Sequence, residues 1–363
     1  MDDTVLLSTS RANMVRKLSL LCQFCRNYGM KVNETKTKFM VICGSDADRL
    51  PMIVDGLVVN HCHRYTYLGS PFTADGSASA AVKAHAQDKM AHFNKFVSFL
   101  KKNNDVPFIV KKRVFDAVIL SSILYGCESW LDADLKPIVK LYNWSLKQML
   151  GVRGSTCNDL CYIESGCPPL QALVKSKQRK FFAKMYAERS GMDDDPLGFA
   201  LRVALNTRYN TKSYVSDLIN NNIDDCAVAM VTLKNNIMNS TSSRRITYLN
   251  VMNPSLTVQS LYSKKHNINE LHRIAFTRFR VSAHALAIET GRWNRRGRGR
   301  LPVDERLCPC GKTQTEEHVM AECHLSCAVR NVSGIEIIHN LFSGTMTDEE
   351  VCTAIYKILR IYE

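Results

Sequence analysis

The spacing of apolar residues changes at Ser79, and this change limits the possible folds more than any other feature of the chain. Before it, a helix over 11–28 precedes strand-like runs at 39–43 and 52–59, with a hairpin turn at 55–56. After it, apolar side chains recur at helical spacing. The segments with this spacing are 79–102, 107–125, 134–150 and 168–190. The sequence therefore predicts a mainly α fold with a small α/β part.

The composition limits the class of protein. With 45% hydrophobic and 23% charged residues the chain is typical of globular proteins, and no stretch approaches the ~20 apolar residues that span a bilayer. Acids at positions 2 and 3, with no basic region before an apolar one, argue against a signal peptide. The 14 cysteines are scattered rather than spaced as a disulfide framework. We expect an intracellular protein, nuclear or cytoplasmic, that is neither secreted nor bound to a membrane.

The net charge of +14 favours a polyanionic partner, and RNA and DNA are the obvious ones. Two segments carry this charge in a form suited to nucleic acid. Lys111, Lys112 and Arg113 lie near the start of a predicted helix, where they contact phosphates or form an ordinary solvated face. In the second segment arginines alternate with glycine beside a tryptophan, which suits single strands unless the segment is only a linker. Its candidate residues are Arg292, Trp293, Arg295, Arg296, Arg298 and Arg300.

Four metal-ligating residues follow this second segment. Cys308, Cys310, His318 and Cys323 offer three thiolates and one imidazole within a short stretch, a set that satisfies tetrahedral Zn²⁺. Gly311 stands where a knuckle turn needs positive φ. The alternatives are His324 and Cys327 as ligands, or a chance grouping in a cysteine-rich chain.

The first residues have two readings. Asp2 and Asp3 precede the apolar run 4–8, as in the second half of a β-hairpin whose turn holds the acids. Paired carboxylates suit Mg²⁺, and two such ions can direct a phosphoryl transfer. Taken alone, the pair is better explained as an exposed acidic terminus ahead of a strand.

Three motifs that follow one another along the chain favour the metal-binding interpretation over the exposed acidic terminus. They are Met1-Asp2-Asp3, the segment 29–38 (Gly-Met-Lys-Val-Asn-Glu-Thr-Lys-Thr-Lys), and the segment 65–70 (Tyr-Thr-Tyr-Leu-Gly-Ser). Together they resemble the back half of the reverse transcriptase palm of non-LTR (LINE-type) retrotransposons. The Cys-Cys-His-Cys segment also resembles the C-terminal one of that family, although a single residue between the first two cysteines is a departure from it.

The resemblance implies roles for particular residues. Asp2 and Asp3 would hold Mg²⁺ as catalytic residues, and Lys36 would lie near the incoming phosphates. Tyr67, Leu68 and Gly69 would form the primer grip, a hairpin over 64–72. In the family, fingers and the first half of the palm precede the acid pair and supply another metal-binding Asp. We therefore expect a truncated polymerase palm, a helical thumb, a C-terminal helical region and a small zinc knuckle, with Mg²⁺ bound only when the missing N-terminal half completes the palm.

The same reading divides the chain into five parts. They are a palm with its primer-grip hairpin (1–75), a helical thumb-like region (76–155), a helical C-terminal region (156–290), the arginine-rich stretch with the knuckle (291–330) and a C-terminal helix (331–363).

The leading hypothesis is a fragment of an RNA-directed DNA polymerase that is inactive alone and retains nucleic-acid binding. The alternatives are a non-catalytic zinc-knuckle protein that binds RNA or DNA, and a translated relic without a selected function.

We expect the purified chain to show no polymerase activity on a primed RNA template with Mg²⁺, because two-metal catalysis needs carboxylates from separate strands. The measurement is incorporation of labelled nucleotide. Incorporation that is abolished by Asp2→Ala and by Asp3→Ala would contradict the expectation.

Overall fold

The computed structural model describes residues 4–192, 194–206, 211–263, 268–293, 299–336, 338–342 and 345–363. These residues form a mainly helical protein with a small sheet and a separate hairpin, so the predicted mainly α class with a small α/β part is confirmed, while the palm and thumb stay predictions. The chain divides into two compact units, Met1–Asp88 with Ser129–Pro137, and Lys89–Glu128 with Ile138–Glu363. Three of the predicted domain boundaries, after 155, 290 and 330, fall inside the second unit.

The first unit contains all the strands of the described chain. They are β1 (Lys38–Phe39), β2 (Met52–Val54), β3 (Leu57–His61), β4 (Arg64–Tyr67) and β5 (Ser70–Thr73). Strand β3 is central, parallel to β1 and antiparallel to β2, while β4 and β5 form the hairpin. The predicted strand over 39–43 is wrong beyond Phe39.

Alternation of side chains gives the sheet one buried face. Met52 and Val54 are buried, whereas Ile53 between them is 73% exposed. The buried face packs on Leu18 and Cys22 of helix α1 (Arg11–Asn27). Because neighbouring side chains of a strand point to opposite faces, this pattern fixes the register of the hairpin.

Both hairpin turns use two residues with positive φ. Asp55 and Gly56 have φ of 52° and 85°, and Leu68 and Gly69 have φ of 47° and 81°. Two-residue turns of this kind match the twist of antiparallel strands, so both predicted hairpins are confirmed. Gly29, with φ of 66°, ends α1 as predicted.

Helices make up the second unit, and two of them begin in residues of the first unit, at Ala78 and Lys136. In chain order the remaining helices are α2 (Ala78–Lys102), α3 (Phe108–Val114), α4 (Ser121–Ile123), α5 (Lys136–Leu150), α6 (Asn158–Ser165), α7 (Leu170–Arg189), α8 (Pro196–Ala204), α9 (Thr211–Asn220), α10 (Asp225–Met238), α11 (Ser243–Thr247), α12 (Ser260–Ser263), α13 (Glu270–Arg280), α14 (Ala287–Thr290), α15 (Cys327–Ser333) and α16 (Asp348–Ile361).

The predicted helices are present with small shifts of their ends. The segment 107–125 forms one helical run in which a π-helical segment, Phe115–Leu120, joins α3 to α4. The C-terminal helix predicted for 331–363 is shorter: it is α16 (Asp348–Ile361), which begins at a capping box of Thr347 and Glu350. Within the described residues, no helix is long and apolar enough to cross a membrane.

A buried ion pair lies at the centre of the second unit. Glu164 of α6 and Arg280 of α13 are both fully buried and form two charged hydrogen bonds of 2.6 and 3.0 Å. The hydroxyls of Tyr248 and Tyr262 donate to the same carboxylate over 2.7 and 3.0 Å. Burial alone would lower the pKa of Arg280, but Glu164 raises it above its usual value. Four separate segments are therefore joined at one carboxylate.

We expect Glu164→Gln to lower the free energy of unfolding by ~3–5 kcal/mol, because it leaves the guanidinium of Arg280 buried without a counter-charge. The matched control is Glu188→Gln, since Glu188 pairs with Lys184 at the surface and exposed pairs contribute at most ~1 kcal/mol. Urea unfolding of the wild type and both variants measures the difference. Equal losses in the two variants would contradict a central role for the buried pair.

Candidate metal centre and its surroundings

The knuckle, residues 307–323, begins with a tight hairpin. Leu307 and Thr313 pair as an antiparallel bridge, and the Cys308 N–H donates to the Lys312 carbonyl over 2.7 Å. Inside this pair the Gly311 N–H donates to the Cys308 carbonyl over 2.8 Å. Gly311 has φ of 93°, which a side chain would strain, so the predicted role of this glycine is confirmed.

A wide helical turn supplies the other half of the knuckle. Residues His318–Glu322 are π-helical, and the Cys323 N–H donates to the His318 carbonyl over 2.8 Å. Because a π turn closes five residues apart, it brings the side chains of His318 and Cys323 to the same side. Both side chains are buried and face the hairpin cysteines.

The four predicted ligands come together. One ligand atom from each of Cys308, Cys310, His318 and Cys323 lies within 4.8 Å of all the others. The sulfurs of Cys308 and Cys323 are 3.7 Å apart, and Cys310 Sγ lies 3.1 Å from His318 Nε2. A tetrahedral ion with sulfur ligands at ~2.3 Å places two sulfurs about 3.8 Å apart, whereas a disulfide needs about 2 Å. The group can therefore hold a metal ion.

Neighbouring groups orient these ligands. His318 Nδ1 lies 3.5 Å from Glu322 Oε2, leaving Nε2 directed at the cysteines. A carboxylate behind a ligating imidazole is a common support in metal sites. The Cys323 carbonyl accepts from the Arg330 guanidinium over 2.8 Å and from the Ser326 hydroxyl over 3.1 Å. Burial raises the pKa of the Cys308 thiol to about 12.

The alternative ligands lie outside this group. His324 and Cys327 are exposed, and Cys327 Sγ contacts Asn331 at 3.8 Å. Within the described ranges, the knuckle is where Cys, His, Asp and Glu side chains converge in a metal-binding geometry.

The arginine loop, residues 292–300, is joined to the knuckle. Arg295, Arg296 and Arg298 lie outside the described residues. The loop is closed at its base, where the Leu301 N–H donates to the Gly291 carbonyl over 2.9 Å. Arg306, one residue before the knuckle, donates to the carbonyls of Leu301 and Ile288 over 2.7 and 2.9 Å.

The described residues of the arginine loop differ in environment. Arg292 pairs with Glu289 over 2.8 Å, so its charge is compensated, while Arg300 is exposed. Trp293 is 39% exposed, and the Arg153 guanidinium lies 4.3 Å from the centre of its ring. Trp293 thus keeps accessible surface beside a stacked cation, an arrangement suited to a base or a phosphate.

The basic segment Lys111–Arg113 is less suited to phosphate contact than the sequence predicts. Lys111 is 3% exposed and pairs with Glu270 over 2.8 Å, so its assignment as a phosphate contact is wrong. Lys112 pairs with Asp116 over 2.8 Å, and Arg113 is exposed. The helical pattern places Lys111 on the inner face of α3, where burial requires a counter-ion.

The proposed polymerase residues are only partly described. Asp2 and Asp3 lie outside the described residues, so their predicted Mg²⁺ site stays a prediction. Lys36 is exposed in a turn. Tyr67, Leu68 and Gly69 lie at the end of the β4–β5 hairpin, with Leu68 46% exposed.

Sequence reasoning missed three side chains next to these features. Arg153 follows α5 and stacks on Trp293 from a distant part of the chain, so no local pattern marks it. His284 Nε2 donates to the Glu316 carboxylate over 3.1 Å, in the turn before His318. Glu322 could have been found, because it lies four residues after a predicted ligand on a helical turn.

Comparisons with known protein families, curated proteins and solved structures found no match to this chain.

Proposed function

We propose that this chain binds nucleic acid through a zinc knuckle and the adjoining arginine loop. The observation that carries the proposal is the convergence of three sulfurs and one imidazole nitrogen within 4.8 Å in the knuckle. Thiolate and imidazole ligands in a tetrahedral set select Zn²⁺ over Mg²⁺ and Ca²⁺. With four protein ligands no coordination position is left open, so the ion would crosslink the hairpin to the helical turn rather than catalyse.

The surroundings of the knuckle favour nucleic acid over a purely structural role. Arg306 links the knuckle to the base of the arginine loop. That loop carries Trp293, whose ring is partly exposed, and Arg300, which is exposed. Guanidinium groups bind phosphates and aromatic rings stack on bases, so the two residue types together suit a single strand. The net charge of +14 supports the same partner.

We further propose that the chain belongs to the reverse transcriptases of non-LTR retrotransposons, where it represents the C-terminal part of the polymerase. The order of the three motifs supports this proposal. The β4–β5 hairpin adds to it, because Leu68 has positive φ and is 46% exposed at the tip. A bulky residue in that conformation is strained, and such strain clusters at functional sites. A hairpin tip of this kind suits a primer grip formed by Tyr67, Leu68 and Gly69.

We expect one Zn²⁺ per chain, bound through Cys308, Cys310, His318 and Cys323. Cys308→Ser combined with Cys323→Ser removes two thiolates and should abolish the bound zinc, as measured by elemental analysis of the purified protein. The control is Cys327→Ser, which changes an exposed cysteine outside the group and should leave one zinc per chain. Loss of zinc in the control, or its retention in the double variant, would contradict the ligand set.

We expect binding to single-stranded RNA to weaken steeply with salt, because each neutralised phosphate releases counter-ions. Replacing Arg295, Arg296 and Arg298 by Ala should reduce the slope of log affinity against log salt by about 2, since each contact contributes ~0.7. The measurement is a salt titration of the binding constant.

A second triple variant serves as the matched control for this titration. Lys177, Lys180 and Lys184 are exposed on α7, and their replacement by Gln removes the same number of charges elsewhere. If the lysine variant flattens the slope and the arginine variant does not, α7 rather than the arginine loop contacts the phosphates.

A further inference from the structure

A cavity of about 570 Å³ opens in the second unit between α13 and α16. Its walls are partly apolar, with Ile274, Leu286 and Leu359 among the lining residues. Cavities of this size bind small organic ligands, which are held mainly by apolar contact and by a few directed polar groups. Its polar groups therefore decide which ligand it suits.

The charged groups that line this cavity are mostly cationic. Arg153, Arg278 and Arg360 line it, and Glu363 is its acidic residue. Arg360 pairs with Glu363 over 3.1 Å. Within the described residues neither Arg153 nor Arg278 has a carboxylate partner, although Arg278 Nε donates to the Gly151 carbonyl over 2.7 Å. Two guanidinium groups thus line one cavity with no carboxylate in ion-pair contact, although the charge of Glu363 acts on Arg278 and that of Glu289 acts on Arg153.

Two cations held close together raise the free energy of the folded chain, and a bound anion would lower it. Burial lowers the pKa of Arg153, and the charge of Arg278 lowers it further. Burial also lowers the pKa of Arg278. Charged groups that are kept close together and partly desolvated bind an anion strongly, because the anion restores the lost solvation.

Two buried nitrogen atoms at the cavity lack a partner. His284 has a fully buried side chain that lines the cavity, and its Nδ1 has no hydrogen-bond partner among the described residues. The Nη1 atom of Arg153 is likewise buried and unpartnered there. Buried polar groups of native proteins are nearly always satisfied, so such atoms indicate a missing ligand or water.

The orientation of Arg153 is fixed from outside the cavity. Its guanidinium stacks 4.3 Å from the centre of the Trp293 ring. Stacking holds the plane of a guanidinium and leaves its edge free for bidentate hydrogen bonds to a phosphate. Trp293 belongs to the arginine loop, so Arg153 connects the cavity to the described beginning of that loop.

We propose that this cavity binds one phosphate-bearing nucleotide, with Arg153 and Arg278 on the phosphate and the base against the apolar wall. The proposal deepens the proposed function, on which it rests for the link to a strand. The nucleotide has two sources, a free mononucleotide or one unit of a single strand that continues along the arginine loop. The shared chemistry is a phosphate ester attached to a planar base.

Binding at this cavity would also contact the elements that hold the metal. Helix α16 packs on both α13 and the π-helical turn that carries His318. His284 bonds to Glu316 in the first turn of that segment. The nucleotide would therefore act on the knuckle through these packed elements.

The test uses the full chain loaded with Zn²⁺ and two probes, a fluorescein-labelled single strand of eight thymidines and free AMP. Fluorescence anisotropy measures the strand, and calorimetry measures AMP. Arg153→Gln removes the unpartnered cation and should weaken binding about tenfold, the usual effect of losing one charged hydrogen bond. The charge-matched control is Arg202→Gln, an exposed arginine of α8 that does not line the cavity.

A second variant tests the cavity without changing its charge. Ala285 is exposed and lines the cavity, so Ala285→Trp should block it while the arginines stay in place. Thermal unfolding checks that each variant is folded. Weaker binding of the strand in Arg153→Gln and Ala285→Trp, with Arg202→Gln unchanged, supports the proposal. Competition by AMP then identifies a free nucleotide as a ligand, and its failure to compete identifies the strand.

Two outcomes separate this inference from the proposed function. If the strand binds equally to the wild type, Arg153→Gln and Ala285→Trp, the cavity proposal is overturned and nucleic-acid binding stands. If the wild type binds AMP in an Arg153-dependent manner but not the strand, the cavity proposal stands and nucleic-acid binding is overturned. If neither probe binds the wild type, both are overturned.

Discussion

The buried pair of Glu164 and Arg280 is the constraint on which the second unit depends. Fully buried charges persist only when each finds its counter-ion and its remaining hydrogen bonds, so every group around the pair is held in place. The tyrosines at 248 and 262 complete the carboxylate, and the Met252 carbonyl accepts from the guanidinium. Segments that are far apart in sequence meet at this ion pair in a single arrangement. Helix α13 carries the arginine around which they meet.

A second buried cluster continues from the first along α13. Thr277 bonds to Tyr262 over 2.7 Å and accepts from Arg273 over 2.9 Å, and Arg273 in turn binds the carboxylate of Glu270, which also pairs with Lys111. One face of α13 is therefore occupied by ionic contacts over its whole length. Its other side packs on α16, and the cavity lies beside that contact.

The candidate metal centre depends on tertiary structure in a different way. Its ligands are close in sequence, and its hairpin and π turn are local. What the rest of the unit supplies is support, because Arg330 of α15 binds the Cys323 carbonyl and α16 packs against the π turn. A metal ion would add a crosslink within the knuckle, whereas α13 is held by its ionic contacts.

The sequence by itself determined the features that are local. Helical spacing predicted the long helices. Asp55-Gly56 predicted the first hairpin, and the resemblance of the segment 65–70 to a primer grip implied the second. The spacing of Cys308, Cys310, His318 and Cys323 predicted a group that converges in space. Tertiary structure decided which charged side chains are accessible to a binding partner. The sequence predicts that Lys111 contacts phosphate, but in the structure it is a buried partner of Glu270. Arg153 stacks on Trp293, although no sequence pattern near it predicts this contact. Local patterns fix backbone conformation, but the environment of a charge is set by residues that only the folded chain brings beside it.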